Sequence, residues 1–166
     1  MTYTYFSIDP SIRACGWASL NEDNLQAGLC VSKEKYWQHA VLDIYEQIFT
    51  LCSVNIDCLI IERPIIQKNW TQQKIKSIEK LLVCYGTLLT IKAPHTRLWT
   101  PTVPEWKNQL PKKVAYSRAI DVLTNTNIRV QIVGKITDDL LHNTQDAIAL
   151  LVRYLEKEGI THDKTF

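Results

Sequence analysis

Apolar and polar residues alternate from Tyr3 to Asp9, with Thr4, Phe6 and Ile8 facing one way and Tyr3, Tyr5 and Ser7 the other. A period of two predicts a strand. After a tight Asp9-Pro10-Ser11-Ile12 turn, Ala14 to Leu20 reads as a second strand and Gln26 to Val31 as a third, joined through the polar Asn21–Asn24 stretch. Together they predict an antiparallel meander. The period then changes. Lys35 to Ser53 sets Trp37, Val41, Ile44, Ile48 and Leu51 at three- and four-residue spacing, the signature of a helix. Asp57 to Glu62 is a short apolar run suited to a strand covered on both faces, and it stops at Glu62-Arg63-Pro64, where proline has no donor for a ladder. Thr71 is placed to cap a long helix from Gln72 to Ile91 with the stripe Ile75, Ile78, Leu82, Tyr85 and Leu89. Thr96 to Trp99 is a fifth strand. Pro101–Pro111 is a proline-punctuated loop with a short turn around Trp106, and Lys112 to Leu123 and Asn143 to Glu158 are helices. The order βββαβαβαα predicts an α/β fold whose mixed five-stranded sheet continues three antiparallel strands with parallel ones and is flanked by helices.

Length changes this picture little: 166 residues without repeat or linker read as one domain, residues 1–166. The proportions of apolar and charged residues exclude a disordered chain or a coiled coil. No run approaches the roughly 18 apolar residues of a membrane helix, and no apolar leader follows Met1, so a cytoplasmic protein without membrane attachment is expected. Five widely spaced cysteines, with no Cys-x-x-Cys pair, read as buried thiols in a reducing compartment rather than as a zinc or redox centre.

Charge is more informative in its distribution than in its sum, which is +2. The segment Arg63–Arg118 holds eleven of the chain's 19 Lys and Arg but only two of its 17 Asp and Glu. A basic stretch beside an acidic remainder points to a polyanionic partner. Trp70, Trp99 and Trp106 lie within it, where aromatic rings can stack on bases or simply fill a core.

Three acids stand where charge is costly. Asp9 closes the first strand, Glu62 closes the apolar run, and Asp146 lies in the apolar face of the last helix. Buried carboxylates need a partner or a cation. Each also has an ordinary explanation: a turn residue, a partner for Arg63, a complement to a helix dipole. If the first and fourth strands are neighbours, their ends converge, and a helix packed on the sheet brings Asp146 near. Such carboxylates are the hard oxygen donors that Mg²⁺ or Mn²⁺ prefers, and two ions about 3.5–4 Å apart suit phosphodiester hydrolysis.

The stretch Ile8-Asp9-Pro10-Ser11-Ile12-Arg13-Ala14-Cys15-Gly16-Trp17-Ala18 resembles the I-D-P-G-x-R-x-x-G-[YW]-[GA] opening of the RuvC family of Holliday-junction resolvases, within the RNase H-like nuclease superfamily. Leu59-Ile60-Ile61-Glu62 is similar to that family's second motif, and Asp146-Ala147-Ile148-Ala149-Leu150 to its closing helix. The resemblance implies an RNase H-like fold and a homodimeric, metal-dependent endodeoxyribonuclease that resolves four-way junctions by paired symmetric nicks. Asp9, Glu62 and Asp146 would hold two Mg²⁺ ions, with Mn²⁺ able to substitute, and Asp9 would bridge them. The Gln72–Ile91 helix is the candidate two-fold interface.

The chain departs from the family's pattern at two places. A fourth acidic position, one helical turn before Asp146, falls on Asn143. Three accounts stand: a natural variant, a site in which His142 or Asp139 substitutes, or an inactivating change. Ser11 replaces a glycine and implies a modified turn. Candidate phosphate contacts are Arg13, Lys68, Lys74, Lys76, Lys107, Lys112, Lys113 and Arg118. A rival reading, favoured by Asn143 and Ser11, is a non-catalytic RNase H-like module that binds branched nucleic acid as a scaffold.

Overall fold

The computed structural model describes residues 4–52, 56–66, 70–107 and 110–160, with the side chain of Lys112 excepted. Its elements, in chain order, are β1 (Thr4–Asp9), β2 (Ala14–Asn21), β3 (Asn24–Val31), α1 (Trp37–Leu51), β4 (Cys58–Ile61), α2 (Gln72–Leu89), β5 (Arg97–Trp99), α3 (Val103–Lys107), α4 (Lys112–Asn125), β6 (Arg129–Val133) and α5 (Leu141–Lys157). The strands form one mixed sheet in the order β5-β4-β1-β2-β3-β6. β1, β2 and β3 pair antiparallel, while β4 joins β1 and β5 joins β4 in parallel.

Alternation along the strands divides the core in two. Phe6, Ile8, Trp17, Leu59 and Ile61 point to the face covered by α1 and α2, where they meet Val41, Ile44, Ile48, Cys84 and Leu88. Tyr5, Ala18, Leu20, Cys58 and Ile60 point the other way, onto Ile148, Leu151 and Leu155 of α5 and Leu123 of α4. β4 contributes to both cores, and all four of its residues are buried, as a strand covered by helices on both sides requires. The meander turns through Glu22 and Asp23, and Glu22 takes the positive φ of 55° that a two-residue hairpin loop demands.

The fold class stands as expected, with a correction to the strand count. A sixth strand, β6, adds in parallel to the outer edge of β3. All five of its residues are exposed, so it has no apolar face to announce it, although Val130 and Ile132 alternate with Arg129 and Gln131. The loop between Pro101 and Pro111 also contains a helix, α3. The Glu105 carboxylate accepts from the backbone N–H of Thr102 at 2.6 Å and from its hydroxyl at 2.9 Å, which satisfies donors at the helix start. α2 begins where expected, the Lys74 amide donating to the Thr71 hydroxyl at 3.4 Å. Among the described residues no helix is long and apolar enough to cross a membrane.

Candidate active site at the ends of β1 and β4

Asp9 and Glu62 come together through strand register. Ile8 pairs with Ile61 across the parallel β1–β4 ladder, and the Glu62 amide donates to the Ile8 carbonyl at 3.2 Å. Asp9 is the last residue of β1, and Glu62 follows the last residue of β4. Because Tyr5 and Ser7 precede Asp9 at alternate positions, and Cys58 and Ile60 precede Glu62, alternation puts both acids on the face covered by α5.

α5 is tied to that face by side-chain hydrogen bonds to three strands. The Ser7 hydroxyl donates to the Ala147 carbonyl at 2.7 Å, Asn143 Nδ2 to the Ala14 carbonyl at 2.6 Å, and the Thr144 hydroxyl to the Gly28 carbonyl at 3.0 Å. Gly16, the cross-strand partner of Asp9, makes this approach possible. A Cβ added there would lie 2.0 Å from the Asn143 carbonyl oxygen. The glycine of the opening motif is thus a seat for the first turn of α5, directly opposite Asp9.

The acids meet α3 through two consecutive residues. Trp106 Nε1 donates to Glu62 Oε2 at 2.8 Å, and Lys107 Nζ lies 2.8 Å from Asp146 Oδ1. Lys107 and Asp146 form a buried pair, with side chains 7% and 8% exposed. The ammonium also sits 5.0 Å from the centroid of the Trp106 ring, so Asp146, Lys107, Trp106 and Glu62 form a continuous chain of contacts. Among the described residues no three His, Cys, Asp or Glu side chains gather closely enough to hold one metal ion.

The other candidate residues are placed as follows. Asn143 uses its amide nitrogen as a donor to the backbone of β2, a role that a carboxylate cannot fill. His142 is exposed at the start of α5. Ser11 has no positive φ; its hydroxyl accepts from the Ala14 amide at 3.4 Å and closes the turn. The Arg13 guanidinium donates to the backbone carbonyls of Glu34 and Lys35, bracing the segment before α1. Lys74 and Lys76 on α2, and Lys113 and Arg118 on α4, are exposed. Lys112 opens α4, and Lys68 lies outside the described residues. Lys107 is not on the surface. Of the tryptophans, Trp106 is buried, and Trp99 is half-buried against Tyr154, with ring centroids 5.4 Å apart. Trp70 is half-buried in an open groove with Thr71, Lys74 and Ile78.

The metal implied by the motifs can be tested against these donors. One ion between Asp9 and Glu62 suits their chemistry, since both are hard oxygen donors at neighbouring strand ends. A second ion does not suit the rest of the set, because Asp146 carries a buried ammonium and Asn143, its nitrogen held by Ala14, offers only an uncharged amide oxygen.

No protein-family model matches the sequence, and no curated protein does. Solved structures match the fold. Thermus thermophilus RuvC in complex with a Holliday junction substrate has a TM-score of 0.60 at 10% identity, over 95% of this chain and 96% of that one. A second Thermus thermophilus RuvC structure gives 0.58 at 13%, over 94% and 96%. The sheet, its helices and their order therefore define an RNase H-like α/β fold. The fold is similar to that of these RuvC structures and to that of the yeast mitochondrial Holliday junction resolvase Ydc2, with a TM-score of 0.53 at 13% identity, over 93% of this chain and 82% of that one.

Proposed function

We propose that the protein is a divalent-cation-dependent endonuclease that cuts branched DNA, most specifically four-way junctions, by paired nicks. The observation that carries this reading is the register that sets Asp9 beside Glu62 on the face α5 covers, with Asp146 on that helix. The fold shared with solved resolvases supports it.

Asp9 and Glu62 would hold the ion, Mg²⁺ or Mn²⁺. When bound, the ion supplies a nucleophile from water and neutralises charge developing on the phosphodiester. The chain's own residues orient the acids. Trp106 fixes one oxygen of Glu62, Gly16 and Asn143 set the depth of α5, and Lys107 holds Asp146. Exposed Lys74, Lys76, Lys113 and Arg118 supply phosphate contacts, which makes binding strongly salt-dependent. A homodimer answers the symmetry of a junction. α2 suits its interface, because only Cys84 and Leu88 are buried on that helix while Ile75, Ile78, Leu82, Tyr85 and Leu89 remain partly exposed and Val83 is 49% exposed.

The scaffold reading draws on a specific pair of observations: Asp146 and Asn143 are both engaged within the chain. One assay separates the two. A labelled synthetic four-way junction and a linear duplex are incubated with the protein, with and without Mg²⁺ or Mn²⁺, beside Asp9→Asn. Symmetric nicks in the junction, dependent on metal and lost in Asp9→Asn, are expected. Tight, metal-independent junction binding with no nick under any condition would establish the scaffold instead.

A further inference from the structure

The acids of the site are not equivalent. Asp146 lies on the same face as Asp9 and Glu62, yet its partner is an ammonium at hydrogen-bonding distance, and both members of the pair are buried. Lys107 is further restrained by the Trp106 ring beneath its Nζ, and α3, which carries both residues, is fixed at its start by the Thr102–Glu105 bonds. A lysine ammonium is a compact point charge with three donors. In a low-dielectric position it interacts with a phosphate or carboxylate far more strongly than it would at the surface.

We infer that Lys107 takes the place of a second metal ion, so that the centre binds one divalent cation, at Asp9 and Glu62, with a built-in monovalent cation at Asp146. This rests on the nuclease reading above and changes its stoichiometry. Charge supports it. The Lys107 ammonium already brings to Asp146 positive charge of the kind that a second ion would supply. A second divalent ion would have to displace Lys107 from its buried partner and would find at position 143 only an uncharged amide oxygen. Stripping one member from a buried pair leaves an uncompensated charge, which is strongly unfavourable. Asn143 is then no defect: an acid there would be superfluous in a one-ion centre.

The test is an equilibrium Mn²⁺ titration of the full chain, with free Mn²⁺ followed by electron paramagnetic resonance, beside Lys107→Met and the double variant Lys107→Met/Asp146→Asn, which removes both charges of the pair together. Circular dichroism checks that each variant folds. The expected result is one Mn²⁺ per chain, one in the double variant, and two in Lys107→Met, where Asp146 is released. Two Mn²⁺ in the unaltered chain, loss of Mn²⁺ in the folded double variant, or a single Mn²⁺ in folded Lys107→Met overturns the inference. If Lys107→Met does not fold, the unaltered chain and the double variant decide. Two Mn²⁺ together with junction cleavage leaves the nuclease reading standing and removes only the one-ion centre, whereas no Mn²⁺ and no cleavage removes both.

Discussion

Gly16 and Asn143 meet so closely that a single methyl group at position 16 would lie 2.0 Å from the Asn143 carbonyl oxygen. That contact sets how deeply the first turn of α5 sits on β2, and through the pairing of Gly16 with Asp9 it couples helix depth to the first acid. Gly16→Ala must push α5 outward. The expected cost is about 1–3 kcal/mol of overpacking, read as a lower urea midpoint, and junction cleavage should fall more steeply than stability. A variant as stable and active as the unaltered chain would show that α5 is not seated by this contact.

Trp106 serves Glu62 through one N–H. Trp106→Phe keeps most of the apolar ring in its buried position but removes the donor at 2.8 Å from Glu62 Oε2. Hydrogen bonds to charged groups contribute about 1.5–3 kcal/mol. Urea denaturation should show a loss near the lower end of that range with an unchanged m-value, since Glu62 is only partly buried.

Acid should loosen α3. The Glu105 carboxyl lies below its ordinary value because the Thr102 amide bonds to it, assisted by the Thr102 hydroxyl and the Arg63 charge. A depressed carboxyl contributes stability above its unfolded value, and that contribution is lost as pH falls through the folded one. Glu105→Gln should therefore melt below the unaltered chain at pH 7, and the gap should close as pH drops below about 4. Melting curves that keep the same separation down to pH 2 would assign the stabilisation elsewhere.

The thiols should be inert. Burial pushes Cys30 and Cys84 up to about 12, and burial together with the neighbouring Cys84 raises Cys15 well above its ordinary value. The thiolate is the reactive form, so iodoacetamide at pH 8 should leave Cys15 and Cys84 unmodified in the native chain and label all five cysteines after unfolding, as counted by mass spectrometry.

Much of the fold was legible because its segments carry a period. Tyr3–Asp9 alternates, α1 and α2 show apolar stripes, and Cys58–Ile61 is an unbroken apolar run; each became the expected element within a few residues. β6 was missed, because its alternation runs over only Arg129 to Ile132 and all five of its residues stay exposed, so no core face reinforces it. Its usable signal was the β-branched pair Val130 and Ile132, ending at Gly134. α3 was hidden by Pro104 and by its five-residue length, although Thr102-x-x-Glu105 is a capping pattern.

At the site, Asp9 and Glu62 stood out because each closes an apolar run, whereas the pairing of β1 with β4 stood in the sequence only as a condition, which the parallel ladder meets. The Lys107–Asp146 pair could not be read in the same way. The two residues are 39 positions apart, and a lysine in a basic segment gives no sign that it will turn inward. The same basic segment divides in space between exposed residues such as Lys74 and Arg118 and a buried one that serves an acid.

The parallel ladder between β1 and β4 acts as a ruler. Neighbouring strands keep a spacing of about 4.7–4.9 Å whatever their side chains, so the backbones carrying Asp9 and Glu62 hold their separation independently of the loops that follow. Rebuilding those loops would alter which nucleic acid can reach the two acids, while the interval between their attachment points would persist unchanged.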